Sequence, residues 1–343
     1  MKAIAKIKSS RGLNLIDVPE PSIQPGHVKL KVHYASVCGT DLHIYNWDEW
    51  SSQRIKPPRI IGHEFCGEII EVGEGVDASR IGEFVATESR ISCSTCFQCK
   101  NGQAHVCTNL VILGVDTDGG FAPYSVIPSQ NARVTPKSIP SDVASMQDAI
   151  GNAVHTVMYQ DVKDKTVLIA GLGPIGIMCV AICETLGAKK IYATEVSEYR
   201  SDLARKFGQV EIINPLKIDA TEAMQQFEPL GVDCSFEMAG RPESVQLSID
   251  ATRPGGFVGV LGITANQMIP VNMNSIVMKG LEVQGVSGRK QWETWDQMHD
   301  LFTNKGLNLS ELVTHQFHFS EFEQAMQILT EGNAGKIVLH FND

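Results

Sequence analysis

The sequence has no surplus of positive charge: 29 lysines and arginines stand against 39 aspartates and glutamates, a formal net charge of −10. That balance argues against a nucleic-acid backbone or an anionic membrane as the main partner. Nor is there an uninterrupted apolar span. The longest apolar run, Val167 to Cys183, is broken by Gly171, Gly173, Pro174 and Gly176, so it reads as strand, turn and helix and not as a bilayer crossing. The N-terminus lacks a basic segment followed by an apolar one and opens instead on Ile4, Ile7, Leu13 and Leu15, so no signal peptide is expected. Nine cysteines, an odd number with four bunched together, make a poor disulfide frame and suit metal binding in a reducing, cytoplasmic setting. What remains is a composition with 43% hydrophobic and 20% charged residues, typical of a globular protein. A chain of 343 residues is too long for one ordinary core, and two domains are expected.

The first half reads as short strands punctuated by Pro19, Pro21, Pro25 and Gly26, with Val28, Leu30 and Val32 alternating with Lys29, Lys31 and His33. Alternation of this kind predicts a sheet with one wet face. Cys38 follows, where scaffold hands over to loop, and His63 lies in Gly62-His63-Glu64. A thiolate, an imidazole and a nearby carboxylate form the ligand set of a catalytic zinc with one position left open. Taken singly, Cys38 and His63 read more readily as a small buried hydrophobe and a satisfied polar residue, and the four-cysteine lobe and the nucleotide pattern reverse that. Glu64 can coordinate the ion or orient its neighbour. Thr40 and His43 offer a hydroxyl and an imidazole in series, a path for a proton, or else a helix cap and an exposed polar residue. Asp148 is a further carboxylate near the domain junction, either a metal ligand or a turn residue. The strongest signal is Cys93, Cys96, Cys99 and Cys107. Four thiolates at that spacing wrap one tetrahedral ion, with zinc expected over an iron–sulfur cluster.

The second half carries a nucleotide pattern. Thr166 to Ala170 is a compact apolar strand, Gly171-Leu172-Gly173-Pro174-Ile175-Gly176 follows at once, and a helix runs on to Leu186. Between a strand and a helix, such a turn lets a pyrophosphate approach the backbone at the helix N-terminus. Glu195 closes the next strand about 20 residues after the last glycine, where an acid meets the adenosine ribose. That predicts NAD over NADP, with Arg200 close enough to qualify the preference. Strands and helices then alternate, and further strands end at Leu261-Gly262-Ile263 and at Val286-Ser287. Ligands bind at the carboxyl ends of strands in the parallel sheet this rhythm implies. Trp292, Trp295, Met298, Leu301 and Phe302 make a helical stripe, and the last helix and strand are expected to return to the first domain. The expected division is residues 1–152, 153–292 and 293–343, with the active site in the cleft between the two domains.

With these residues placed, the chain resembles the zinc-containing medium-chain alcohol dehydrogenases over its whole length. The motifs at 38–41 and 62–64, the four-cysteine lobe and the glycine turn stand in that family's order. The resemblance implies an α/β fold: a Rossmann doubly wound parallel sheet inserted into a mainly-β, GroES-like catalytic domain with a structural zinc lobe. It implies Cys38 and His63 as catalytic zinc ligands, Glu64 and Asp148 as carboxylates that supply or exchange a ligand, and Thr40 with His43 as the proton relay. It also implies two zinc ions per chain, NAD, and a homotetramer. Residues 43–50 and 151–156 look like those of members that oxidise the secondary hydroxyl of L-threonine to 2-amino-3-oxobutanoate. Arg90 stands where such members carry a histidine near the substrate; it either presents a planar charged fork to a carboxylate or phosphate, or points elsewhere. The competing expectations are the same chemistry on a polyol or another hydroxy acid, and a zinc-stabilised NAD sensor without turnover.

Overall fold

The computed structural model describes residues 1–266 and 268–341. It divides into two compact units, Met1–Ala149 with Val313–Asp343, and Ile150–Leu312.

The first unit is built on the long strand His27–Val37, which pairs antiparallel with Phe65–Val72, with Tyr124–Pro128 and with Lys336–His340. Val28, Leu30, Val32, Ala35 and Val37 all enter its core, joined by Phe65, Phe121, Ile337 and Leu339. The alternate face is not wholly wet. Lys29 is buried and ion-paired to Glu20 at 2.5 Å, because Glu20 and Glu71 close over it. The strand Lys336–His340 threads this sheet between His27–Val37 and Val313–His318, so it is part of the first unit's core. A two-strand ladder, Arg90–Ile91 with Val111–Ile112, flanks the four-cysteine segment.

The second unit is a six-stranded sheet in which every pairing is parallel. In spatial order the strands are Val210–Ile213, Lys190–Thr194, Thr166–Ala170, Val232–Glu237, Thr252–Val260 and Glu282–Gly285. Numbered along the chain this is 3-2-1-4-5-6, the doubly wound order whose reversal point takes dinucleotides. Helix Pro174–Thr185 starts with Gly173 as its N-cap and proline at its first position, and buries every residue from Gly176 to Cys183.

The packing places residues 293–312 in the second unit, whereas the sequence pattern assigned them to the returning tail. Helix Glu293–Asn304 buries Trp295, Met298, Leu301 and Phe302, a stripe at helical spacing that is the same whichever unit it covers. The segment after it decides the matter. Leu307 lines a cavity with Ala181, Thr185 and Phe207, and Glu311 pairs with Lys206 at 3.1 Å. Trp295 is fully buried, so Trp295→Ala is expected to lower unfolding stability by about 3–5 kcal/mol in urea titration. A loss below about 1 kcal/mol would contradict this packing.

Candidate metal centre and dinucleotide site

Cys38 follows the long strand directly and serves as N-cap of helix Gly39–Asn46, with φ −114° and ψ 162°. Its amide donates to Asp41 Oδ2 at 2.9 Å, which folds the first helical turn back onto the cysteine. His63 is buried beside it. Ligand atoms of Cys38, His63 and Glu64 all lie within 4.8 Å of one another. Thiolate, imidazole and carboxylate so placed suit a tetrahedral zinc with three protein ligands and an open fourth position.

Two orphaned atoms test that fit. His63 Nδ1 and Asp41 Oδ1 are buried, have no hydrogen-bond partner, and face each other at 3.8 Å. A metal on Nε2 fixes the imidazole proton on Nδ1, where Asp41 would orient it. Charge tells the same story. Burial alone would lower the pKa of His63, yet Cys38, Asp41 and Glu64 outweigh it and raise it to about 10. Burial also pushes Asp41 above the usual carboxylate range. This cluster of acids seeks a cation, and zinc is one that these donors accept.

Glu64 is held from behind. One oxygen accepts both the Ser36 hydroxyl and the Lys336 ammonium, while the other lies 4.0 Å from His63 Nε2. Lys336 is buried and also donates to the Val37 carbonyl at 3.3 Å. Burial would lower its pKa, but Glu64, Cys38 and Asp41 raise it above the ordinary lysine value.

The remaining predicted residues separate into groups. Asp148 Oδ1 accepts the Ser89 amide at 3.1 Å and lies outside the three-donor group found among the described residues. Thr40 Oγ1 stands 3.9 Å from Cys38 Sγ. His43, one turn further along the same helix, is 60% exposed and therefore open to water. Its ring is held by Asp48, and Trp50 meets it edge-on at 6.1 Å. Arg90 Nη1 donates to the His105 carbonyl at 3.1 Å, so its guanidinium reaches into the four-cysteine lobe.

In that lobe Cys96 Sγ lies 3.4 Å from Cys99 Sγ and 3.8 Å from Cys107 Sγ, and Cys107 Sγ lies 3.5 Å from Cys93 Sγ. The amides of Cys96, Cys93 and Asn109 donate to these sulfurs. Hydrogen bonds led by the Thr95 hydroxyl bring the Cys93 thiol down to about 5, whereas burial and the neighbouring sulfurs push Cys99 up to about 12. Four crowded sulfurs cannot all ionise without a cation among them, and a closed tetrahedral zinc meets that need.

In the second unit the turn from Gly171 to Gly176 precedes an uncapped helix N-terminus, with Pro174 and Ile175 in its first turn. A Cβ on Gly176 would strike the Gly171 carbonyl, so this close approach requires glycine. Glu195 is buried. One oxygen accepts the Leu172 amide at 3.0 Å, and the other accepts the amides of Val196 and Ser197, each at 2.9 Å. Arg200 has a buried Nε without a partner. Leu261 and Gly262 donate their amides to the Glu237 carbonyl, and Ile263 beyond them is almost fully exposed. The Val286 amide reaches the Val260 carbonyl at 2.8 Å, and exposed Ser287 follows it. All these segments lie at carboxyl ends of the parallel strands.

Sequence reading assigned no role to Asp41, Ser36, Lys336 or Glu237. Asp41 sat inside the quoted motif and so had a signal. Lys336 had none, standing as an ordinary lysine before an apolar run.

Residues 24–138 match the alcohol dehydrogenase GroES-like domain, and residues 174–304 match the zinc-binding dehydrogenase domain. The chain belongs to the zinc-binding medium-chain alcohol dehydrogenase family. It is 42% identical over 340 residues to an L-threonine 3-dehydrogenase of Pyrococcus abyssi, covering 98% of each chain. It is 40% identical to that of Proteus mirabilis, covering 99% of each. Among solved structures, an Escherichia coli alcohol dehydrogenase complexed with NADH superposes with a TM-score of 0.92 at 28% identity, over 99% of both chains. Galactitol-1-phosphate dehydrogenase from Escherichia coli gives 0.90 at 27% identity, over 99% of this chain and 100% of that one.

Removing one partner of a buried ion pair costs about 3–5 kcal/mol. Lys336→Met is therefore expected to lower the urea midpoint accordingly, with Lys336→Arg restoring most of the loss. An unchanged midpoint in Lys336→Met would show that the lysine does not hold Glu64.

Proposed function

We propose that this protein oxidises the secondary hydroxyl of L-threonine to 2-amino-3-oxobutanoate, using NAD and a zinc ion at Cys38, His63 and Glu64. The observation that carries the reading is the three-donor cluster, in a chain 42% identical over 98% of its length to a protein named for that reaction. Zinc in such a donor set supplies Lewis acidity toward a hydroxyl, and the nicotinamide accepts hydride. The side chains handle the proton. Thr40 accepts it from the substrate hydroxyl while giving up its own hydroxyl proton in the direction of His43, and His43, its ring steadied by Asp48, takes up a proton and releases one to water. Asp41 stands 3.8 Å from His63 Nδ1, where it would orient the ring once Nε2 holds the ion, and Lys336 with Ser36 holds one oxygen of Glu64, leaving the other for the ion.

The four-cysteine lobe takes a second, structural zinc. Arg90 belongs to that lobe through the His105 carbonyl, which supports threonine as substrate despite the change from histidine. Glu195 supports NAD over NADP, since a fixed carboxylate accepts a 2′-hydroxyl and repels a 2′-phosphate. A homotetramer is supported by apolar side chains left in water at one edge of the second unit. Val283 on the edge strand Glu282–Gly285 is exposed, as are Met273, Val277 and Met278 on the helix Met273–Lys279 that precedes it. Among the described residues no helix is long and apolar enough to cross a membrane. All nine cysteines are free, in keeping with the cytosol.

The test is NADH formation from NAD with L-threonine and with a panel of polyols and hydroxy acids. L-threonine is expected to give the highest kcat/KM; a polyol that exceeds it would replace it as substrate. Cys38→Ser should lower turnover at least about a thousandfold, retain NADH binding and reduce zinc from two ions per chain to one. Full activity in that variant would refute the metal centre. Arg90→His should leave the L-threonine KM within about threefold of the parent. A tenfold change would return Arg90 to the substrate.

A further inference from the structure

Glu237 takes no part in the chemistry outlined above, yet it is completely buried. A carboxylate in that position is costly unless its partners are supplied. It ends the central strand Val232–Glu237, opposite Ala170 on one side and Val260 on the other. These three parallel strands lead at their carboxyl ends into the turn from Gly171, the turn through Ala239 and Gly240, and the segment Leu261–Ile263. That end of a doubly wound sheet is where a dinucleotide lies.

The side chain joins those segments. Glu237 Oε1 accepts the amides of Ala239 at 2.9 Å and Gly240 at 2.8 Å. It also accepts the Ser244 hydroxyl, at 2.6 Å, from the first turn of helix Pro242–Ala251. The Glu237 carbonyl accepts the amides of Leu261 at 3.0 Å and Gly262 at 3.2 Å. One residue therefore fixes two of the three segments. The third lies close against them: a Cβ on Gly171 would come within 2.8 Å of the Ala239 side chain, and the Met238 amide donates to the Ala170 carbonyl at 2.9 Å.

Glu237 Oε2 is buried and has no hydrogen-bond partner. It lies against Gly262, where any Cβ would meet both this oxygen and the Gly240 nitrogen. The second oxygen thus sets how closely the 261–263 segment approaches the 239–240 turn. If core stability alone were served, an apolar side chain of similar volume would fill the site without stranding a polar atom. The carboxylate earns its place by holding backbone at the cofactor edge.

We propose that Glu237 is a positioning residue for the dinucleotide, setting the spacing of the 239–240 and 261–263 segments that receive it; this rests on the NAD reading above. The zinc-loaded enzyme is titrated with NADH by fluorescence, alongside KM values for NAD and L-threonine, zinc content and thermal unfolding. Glu237→Leu, which removes every side-chain acceptor at similar volume, is expected to raise the NADH Kd and the NAD KM about tenfold or more. The L-threonine KM at saturating NAD and the zinc content should stay at parental values. Glu237→Gln keeps an acceptor at Oε1 and should recover affinity to within about threefold. Should Glu237→Leu fail to fold, Ser244→Ala tests the same network with an expected rise of about threefold, and Gly262→Ala with about tenfold or more. A folded Glu237→Leu or Gly262→Ala variant with parental NADH affinity overturns the proposal. So does an equal rise in the L-threonine KM, which would signal general loosening. Parental enzyme that fails to bind NADH would instead overturn the NAD reading on which the proposal stands.

Discussion

A lysine on the last strand reaches a glutamate 272 residues earlier, and the metal centre depends on that contact. Its parts come from four stretches of chain: Ser36 to Cys38 at a strand end, Asp41 in the next helix, His63 and Glu64 in a loop, and Lys336 on the returning strand. Ile337 pairs with Val37 in the sheet, so the same register that docks the strand also delivers the ammonium. A one-residue slip would turn Lys336 to the opposite face and leave Glu64 buried without a counter-charge. Sheet pairing and site electrostatics therefore enforce each other.

The two cysteine-bearing sites solve the problem of gathered negative charge differently. In the four-cysteine lobe the donors are alike, backbone amides reach the sulfurs of Cys93 and Cys107, and all four sulfurs lie within 4.8 Å of one another. Such a site closes on its ion and offers nothing to a substrate. At Cys38 the donors are unlike: Ser36 and Lys336 occupy one oxygen of Glu64, while His63 Nδ1 and Asp41 Oδ1 face each other at 3.8 Å without a hydrogen bond. Three ligands with one face left over is what catalysis requires of a zinc site.

Local spacing carried the readable part of this protein. The four cysteines lie within fifteen residues of one another and the glycine turn sits between a strand and a helix, so both announce themselves without tertiary information. Glu195 was legible because the strand after the glycine turn fixes where its tip falls. What could not be read was long-range. Nothing beside Lys336 says that it points inward, since only pairing with Val37's strand decides that. Arg90 presents the same difficulty: its identity suggested a substrate anion, and its partner, the His105 carbonyl, depends on how the lobe folds. The helix Glu293–Asn304 shows the limit of periodicity, which gives the buried face but not the core it covers. Asp148 is an acid in the right stretch whose oxygen turns to the Ser89 amide.

Placing buried acids where a doubly negative pyrophosphate must approach looks self-defeating in a chain already carrying −10. The directions of the hydrogen bonds remove the difficulty. Glu195 accepts three backbone amides and Glu237 two amides with a hydroxyl, so each charge is answered locally by dipoles that point at it. The phosphates meet the other kind of group, the bare amides at the start of helix Pro174–Thr185. Poles of both signs are thus sorted along one sheet edge: bare amides after the strand Thr166–Ala170, and amide-bound acids at the ends of the strands on either side of it. The amides of Leu172, Val196 and Ser197 are already committed to Glu195.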